Sequence, residues 1–258
     1  MSDKENLFNS LPKNGIVAEV GVFNGDGSRS ILERCNPKEL WLIDTWSPCD
    51  DESTESAMEH YLNVLSWANS YSKKDREIRI IRDQSITAAT HFANEYFDWV
   101  YVDADHRYQP VKDDLHVWTH KVKEQGFICG DDFTMYDPSW EGVHKAVIEY
   151  VLSYMENKPE LLEDLKPLNE PWDINYKTPD WLLSILKENI EHFPSPERAF
   201  KIKKSNLKKY PSDKKLPAPY KNLVTPLPPR LEKRLDFMND IFDLSDILVY
   251  DASDIKGK

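Results

Sequence analysis

The chain has 258 residues, room for one sizeable α/β domain and an appendage. Hydrophobic residues make up 40% and charged residues 30%, a globular composition that argues against a disordered or membrane-embedded chain. The formal net charge of -12 repels phosphate backbones and argues against a general nucleic-acid binder.

From residue 15 to about 154, short apolar runs alternate with helical patterns, the signature of parallel βαβ units. Strands are expected at 16–22, 40–44, 78–81, 99–103 and 126–130, near-continuously apolar as strands covered on both faces should be. Helical spacing links Met58, Tyr61, Leu62, Leu65 and Ala68, then Val111, Leu115, Trp118 and Val122, then Val143, Val147, Tyr150, Val151 and Tyr154. Pro110 fits a first helical turn, and Asp137 followed by Pro138 reads as a cap with proline at the next position. After Met155 the rhythm stops, and 12 of the 17 prolines lie beyond it. A helix at 181–192, an antiparallel strand at 199–203, an extended segment at 205–229 and a helix at 231–242 are expected there.

The first strand runs into Glu19-Val20-Gly21-Val22-Phe23-Asn24-Gly25-Asp26-Gly27-Ser28. Glycine in such a turn permits positive φ and lets a ligand approach the backbone. The spacing is G-x-x-x-G-x-G, not the G-x-G-x-x-G of dinucleotide folds. Glu19 places a negative charge before the turn, which suits a cationic aminoacyl sulfonium better than a pyrophosphate. Asp44, 23 residues after Gly21, ends the second strand, where an acid can accept hydrogen bonds from ribose hydroxyls. Glu19, Gly21, Gly25, Ser28 and Asp44 are therefore candidate cofactor residues. Asp83 and Ser85 follow the third strand as adenine contacts or helix caps, and Trp46 is placed either on the adenine or in the core.

Strand four closes on Asp103-Ala104-Asp105-His106-Arg107-Tyr108 and strand five on Gly130-Asp131-Asp132-Phe133. Ligands of open parallel sheets bind beyond the carboxyl ends of strands, so both clusters face the crevice of the glycine loop. Crowded carboxylates repel one another, and a hard divalent cation such as magnesium would relieve this. Together with Gly142-Val143-His144-Lys145-Ala146-Val147, these strings resemble the macrocin O-methyltransferase family of class I S-adenosylmethionine-dependent methyltransferases, over residues 12 to 155.

The βα alternation and the resemblance imply a Rossmann-like, doubly wound, mostly parallel seven-stranded sheet with helices on both faces; the end of the rhythm and the prolines set a domain at 1–204 and a proline-rich extension at 205–258, about the last hundred residues lying outside the resemblance. The resemblance implies O-methylation of a small molecule, sugar or glycan, with metal ligands Asp103, Asp131 and Asp132, Asp103 also near the cofactor, and His106 or Asp105 as catalytic base. His144 is either a substrate contact or a surface residue. Alternatives are an NAD-dependent oxidoreductase, which has the wrong glycine spacing, and a non-catalytic nucleotide-sugar or partner-binding module. The tract Lys201, Lys203, Lys204, Lys208, Lys209, Lys214 and Lys215 raises a nucleic-acid acceptor, but such runs are usually solvated surface. Cys35, Cys49 and Cys129, odd in number and without metal spacing, read as reduced thiols. With no leader pattern and no run of ~18 apolar residues, a cytoplasmic protein without membrane partners is expected, a homo-oligomer being compatible.

Overall fold

Ser2 opens the first helix by a reciprocal cap: its side chain accepts from the Glu5 N–H, and the Glu5 carboxylate accepts from the Ser2 N–H. This helix, α1 (Asp3–Ser10), was not anticipated from hydrophobic periodicity. The computed structural model describes residues 2–48, 52–72, 76–133, 141–153, 180–191, 199–207 and 247–251. Five parallel strands follow: β1 (Ile16–Val20), β2 (Glu39–Asp44), β3 (Glu77–Arg82), β4 (Phe97–Val102) and β5 (Val122–Gly130). Between them run α2 (Asp26–Cys35), α3 (Thr54–Tyr71), α4 (Ser85–Ala89) and α5 (Tyr108–Lys121), and α6 (Glu141–Ser153) follows β5.

Side chains of the central strands alternate between two cores, as the two-residue period of a strand requires. Val17, Leu40, Leu42, Trp99 and Tyr101 join α1, α2 and α3 on one face. Ala18, Val20, Trp41, Ile43, Val100 and Val102 join α4, α5 and α6 on the other. Helices thus cover both faces, and the apolar runs of the sequence are strands buried on two sides. The result is the expected Rossmann-like α/β fold.

The C-terminal third adds α7 (Asp180–Asn189), β6 (Ile190–Glu191), β7 (Phe200–Lys203) and β8 (Ile247–Asp251). Strand order is β6-β7-β5-β4-β1-β2-β3-β8, with β7 antiparallel to β5 and to β6. The described residues therefore make eight strands, not seven. Two of them, β6 and β8, are not anticipated as strands by the sequence pattern; β8 lies in the proline-rich extension and pairs in parallel with β3, Ile80 opposite Val249. The helix expected over 181–192 stops at Asn189 because Ile190 and Glu191 pair with Ile202 and Lys201. Val122 belongs to β5 instead of the preceding helix: its N–H caps Trp118, its backbone is extended, and it pairs with Phe97. The Asp137–Pro138 cap, Tyr154, Cys49, His192, most of 205–229 and the helix at 231–242 lie outside the described residues.

Pro110 sits in the first turn of α5, as expected. Lys201 and Lys204 are buried, Lys204 donating to the Val122 carbonyl, so part of the basic tract is internal and not solvated surface. Cys35 and Cys129 are buried free thiols. No helix among the described residues is long and apolar enough to cross a membrane.

Candidate active site

Because β1, β2, β3, β4 and β5 are parallel, their carboxyl ends share one edge of the sheet, and the glycine loop and both acidic clusters meet there. The loop is in backbone contact with the end of β4: the Asp103 N–H donates to the Val20 carbonyl at 2.8 Å, and the Gly21 N–H to the Ile43 carbonyl at 2.9 Å. Gly21 has φ of 89°, and a Cβ there would lie 2.5 Å from Ala104 Cα and closer still to the Asp103 carbonyl. Gly25 has φ of 82° and is the N-cap of α2 with no side-chain cap of its own, while the first helical N–H, of Asp26, donates to Asn24 Oδ1 at 3.0 Å.

Glu19 is buried beneath this turn and accepts a hydrogen bond from the buried Ser28 hydroxyl. Burial pushes its pKa up to about 8, the Ser28 hydrogen bond opposing this. Asp44 Oδ2 accepts from the N–H groups of Val22 (2.7 Å) and Phe23 (2.9 Å), and Oδ1 from that of Trp46 (2.8 Å). It therefore fixes the loop.

Trp46 is in the core: it is buried, donates its indole N–H to the Phe23 carbonyl and packs on Tyr61. Phe23, with φ of 51° and 52% exposed, leans on His60 at the loop surface. Non-glycine residues at such φ values are concentrated at functional sites.

Asp83 is buried after β3 and accepts from the Gln84 N–H. Ser85 faces inward, donating to Asp114 and accepting from the Trp118 indole N–H. Burial raises Asp114 to about 7 despite the Ser85 hydrogen bond. A carboxyl whose folded pKa exceeds its unfolded value adds stability only below the unfolded pKa and loses it as pH rises toward 7. Asp114→Asn keeps the acceptor oxygen and removes the charge. It is expected to be near neutral at pH 4 and to stabilise at pH 8 by up to about 4 kcal/mol, from roughly three pKa units. Equal melting-temperature differences at the two pH values would contradict this.

The acid crevice holds three carboxylates and two nitrogens. Lys4 Nζ lies 2.7 Å from Asp103 Oδ2 and 3.0 Å from Asp131 Oδ2. His106 Nε2 lies 3.2 Å from Asp132 Oδ2 and 3.8 Å from Asp103 Oδ1. Burial opposes ionisation of Asp103, but the hydrogen bond from His106 and the charge of Lys4 carry its pKa below the usual range. Burial and the neighbouring Asp131 and Asp103 charges raise Asp132 to about 6. His106 is shifted upward: burial opposes the imidazolium, and the Asp103 hydrogen bond with the Asp132 and Asp103 charges outweighs it. Asp105 is engaged elsewhere, its two oxygens taken by the Arg107 guanidinium and one also by the Arg107 N–H.

Lys4 was missed in the sequence, where only the Ser2-x-x-Glu5 capping box hints at the helix that carries it. Its position bears on the expected metal. The place where one ion would bridge Asp103 and Asp131 is taken by the ammonium, and Asp132 turns to His106, so the three acids as placed do not form a shared oxygen site. Among the described residues, the possible ligand atoms that lie within 4.8 Å of one another belong to Asp103, His106 and Asp132, a mixed oxygen–nitrogen set unlike the all-oxygen shell magnesium favours. His144 is neither surface nor crevice; it is fully buried and stacked on Phe133 at 5.2 Å.

A family model described as a methyltransferase domain matches residues 18–133, which carry the glycine loop and both acidic clusters. A curated relative, an uncharacterised protein of Acanthamoeba polyphaga mimivirus, is 26% identical over 133 residues, 51% of this chain and 58% of the relative. Among solved structures, an O-methyltransferase family protein from Burkholderia thailandensis is 12% identical and has a TM-score of 0.44, the match covering 78% of this chain and 55% of that one. A Burkholderia thailandensis 1,6-didemethyltoxoflavin-N1-methyltransferase with bound S-adenosylhomocysteine is 13% identical, with 51% of each chain covered and a TM-score of 0.36. This chain thus spans between half and two thirds of the length of these relatives.

Proposed function

We propose that the class I S-adenosylmethionine-dependent methyltransferase domain in this chain methylates a hydroxyl oxygen of a small, hydroxyl-rich acceptor, a sugar or glycan foremost. The observation that carries the reading is the backbone contact between the two half-sites. Gly21 of the donor loop abuts the Asp103 carbonyl, so a sulfonium methyl over the loop would lie beside the acids that receive the acceptor.

In this reading the donor's aminoacyl end lies toward Glu19 and the N-terminal turn of α2, and its ribose lies toward Asp44. The acceptor enters the crevice lined by Ala104, Asp105, His106 and Asp131, with Val143 and Phe200 on its apolar side. The acceptor oxygen attacks the methyl carbon in line. A C–O bond forms, the S–CH3 bond breaks, and its electron pair stays on sulfur, leaving neutral S-adenosylhomocysteine. Neutral His106 takes the hydroxyl proton. The acidic neighbours that raise its pKa place the working range on the alkaline side of histidine's usual titration. Most of the rate enhancement comes from holding oxygen, carbon and sulfur aligned. No step runs through a metal.

Asp105 is the weaker candidate for the base, because Arg107 already holds its carboxylate and its pKa lies below the usual range. His106→Ala is expected to lower turnover by about 10²–10⁴, the usual worth of a general base, and Asp105→Asn by less than about tenfold. Both should keep S-adenosylhomocysteine affinity. The reverse order would transfer the role to Asp105. Calorimetry with S-adenosylmethionine, S-adenosylhomocysteine and NAD tests the donor. Absence of binding by both sulfur ligands at millimolar concentration, or saturable binding of NAD alone, would overturn the assignment.

A further inference from the structure

We propose that Lys4 is the resident cation of the acid crevice, standing where a divalent ion would otherwise sit, and that methyl transfer here proceeds without a metal. The inference rests on the proposed function for its chemistry and on three observations for its geometry.

The first is the contact set. One ammonium bridges Asp103 Oδ2 at 2.7 Å and Asp131 Oδ2 at 3.0 Å, linking the ends of β4 and β5 as a shared metal ion would. The Tyr101 hydroxyl also reaches Asp103 Oδ2, at 3.4 Å, and His106 faces Oδ1. Asp103 Oδ2 thus has two partners, and an ion bridging it to Asp131 Oδ2 at roughly 2.0–2.6 Å would require Lys4 to leave.

The second is that Lys4 is presented by an anchored element. Leu7 and Phe8 of α1 are fully buried, Phe8 packs edge-on against Tyr101 at 5.0 Å, and the Phe8 carbonyl accepts from Cys35 Sγ at 3.2 Å. Glu5 pairs with Arg34 of α2 while also closing the capping box. The side chain therefore starts from a fixed backbone, and holding it in the crevice costs less conformational freedom than for a lysine on a loose terminus.

The third is the donor count. An ammonium has three N–H groups; two are directed to carboxylates, and the side chain is still 39% exposed. The third N–H is available to an acceptor oxygen entering from solvent, orienting the nucleophile as a metal would. The transfer balances without an ion: the acceptor oxygen gains the methyl group, sulfur keeps the bonding pair, and His106 holds the proton.

The test uses the full chain and Mn2+ as the probe, followed by the loss of its free-ion paramagnetic resonance signal. S-adenosylhomocysteine calorimetry reports separately on the donor site. Wild type is expected to leave Mn2+ free at millimolar concentration. Lys4→Met is expected to gain one site at least about tenfold tighter, and Lys4→Arg, which keeps the charge, to resemble wild type. Mn2+ should raise the melting temperature of Lys4→Met, and adding Asp131→Asn should abolish that rise. Stoichiometric Mn2+ binding by wild type overturns the proposal, and so does a folded Lys4→Met that gains no site. If no variant binds S-adenosylhomocysteine, the methyltransferase reading fails, while the Mn2+ comparison still decides what Lys4 excludes.

Discussion

Gly21→Ala is expected to lower the melting temperature by about 6–12 °C and to weaken S-adenosylhomocysteine binding by about 100-fold or more. Two costs add. At φ of 89° an alanine pays roughly 1–3 kcal/mol in a region its Cβ disfavours. The new Cβ also falls on the backbone of Asp103 and Ala104, which no rotamer change can move aside. Relief requires the ends of β1 and β4 to separate, breaking the bond from the Asp103 N–H to the Val20 carbonyl. At roughly 2–4 °C per kcal/mol for a chain of this size, about 3 kcal/mol gives the stated shift. Gly27→Ala is the informative control. Its Cβ would meet only the end of the Glu19 side chain, and Gly27 has no positive φ. It should disturb donor binding with a smaller loss of stability. Equal, small thermal shifts for the two variants would show that the close approach at Gly21 does not hold the loop to β4.

These glycines were legible in the sequence because their reason is local: a turn of fixed length after an apolar strand, followed by a helix. The five parallel strands were legible too, since burial on both faces writes short apolar runs, and these alternate with longer helical stripes. What escaped was long-range. Lys4 is 99 positions from Asp103, and nothing in either neighbourhood signals that they meet. The Ile247–Asp251 run is apolar enough for a strand, but its partner β3 begins 170 residues earlier, beyond any pattern of alternation. Trp46 and His144 show a second limit. Proximity in sequence to a site does not say on which side of the backbone a side chain falls, and both turned into the core. Asp105 illustrates a third. Its salt bridge to Arg107 spans two positions and was readable, yet an acid beside a strand end attracts a catalytic reading before a structural one.

Binding of S-adenosylmethionine is expected to release close to one proton per ligand at pH 7, and its affinity to rise toward about tenfold per pH unit below pH 8 before levelling off. The source is Glu19. Burial holds its folded pKa at about 8, well above the ordinary glutamate value of 4.5, so without ligand the carboxyl is mostly neutral at pH 7. A sulfonium and an α-ammonium arriving above it favour the carboxylate and pull the pKa down, and the displaced proton goes to buffer. The same shift has an opposite consequence for the unliganded protein. The folded pKa lies above the unfolded one, so the contribution of Glu19 to stability is complete below about pH 4.5 and is lost as pH rises to about 8. Glu19→Gln keeps the shape and an acceptor for the Ser28 hydroxyl without the charge. It is therefore expected to stabilise the unliganded chain at pH 8 by up to about 4 kcal/mol, while weakening donor binding there by about 100-fold and much less at pH 6. Calorimetry in two buffers of different ionisation enthalpy reads the proton directly, and thermal melts at the two pH values read the stability. Donor binding that takes up no buffer-dependent heat, with Glu19→Gln melting as wild type at pH 8, would mean that Glu19 is ionised before the ligand arrives. The loop would then be an electrostatic attractor already charged, and the coupling of methyl-donor binding to proton release would disappear with it.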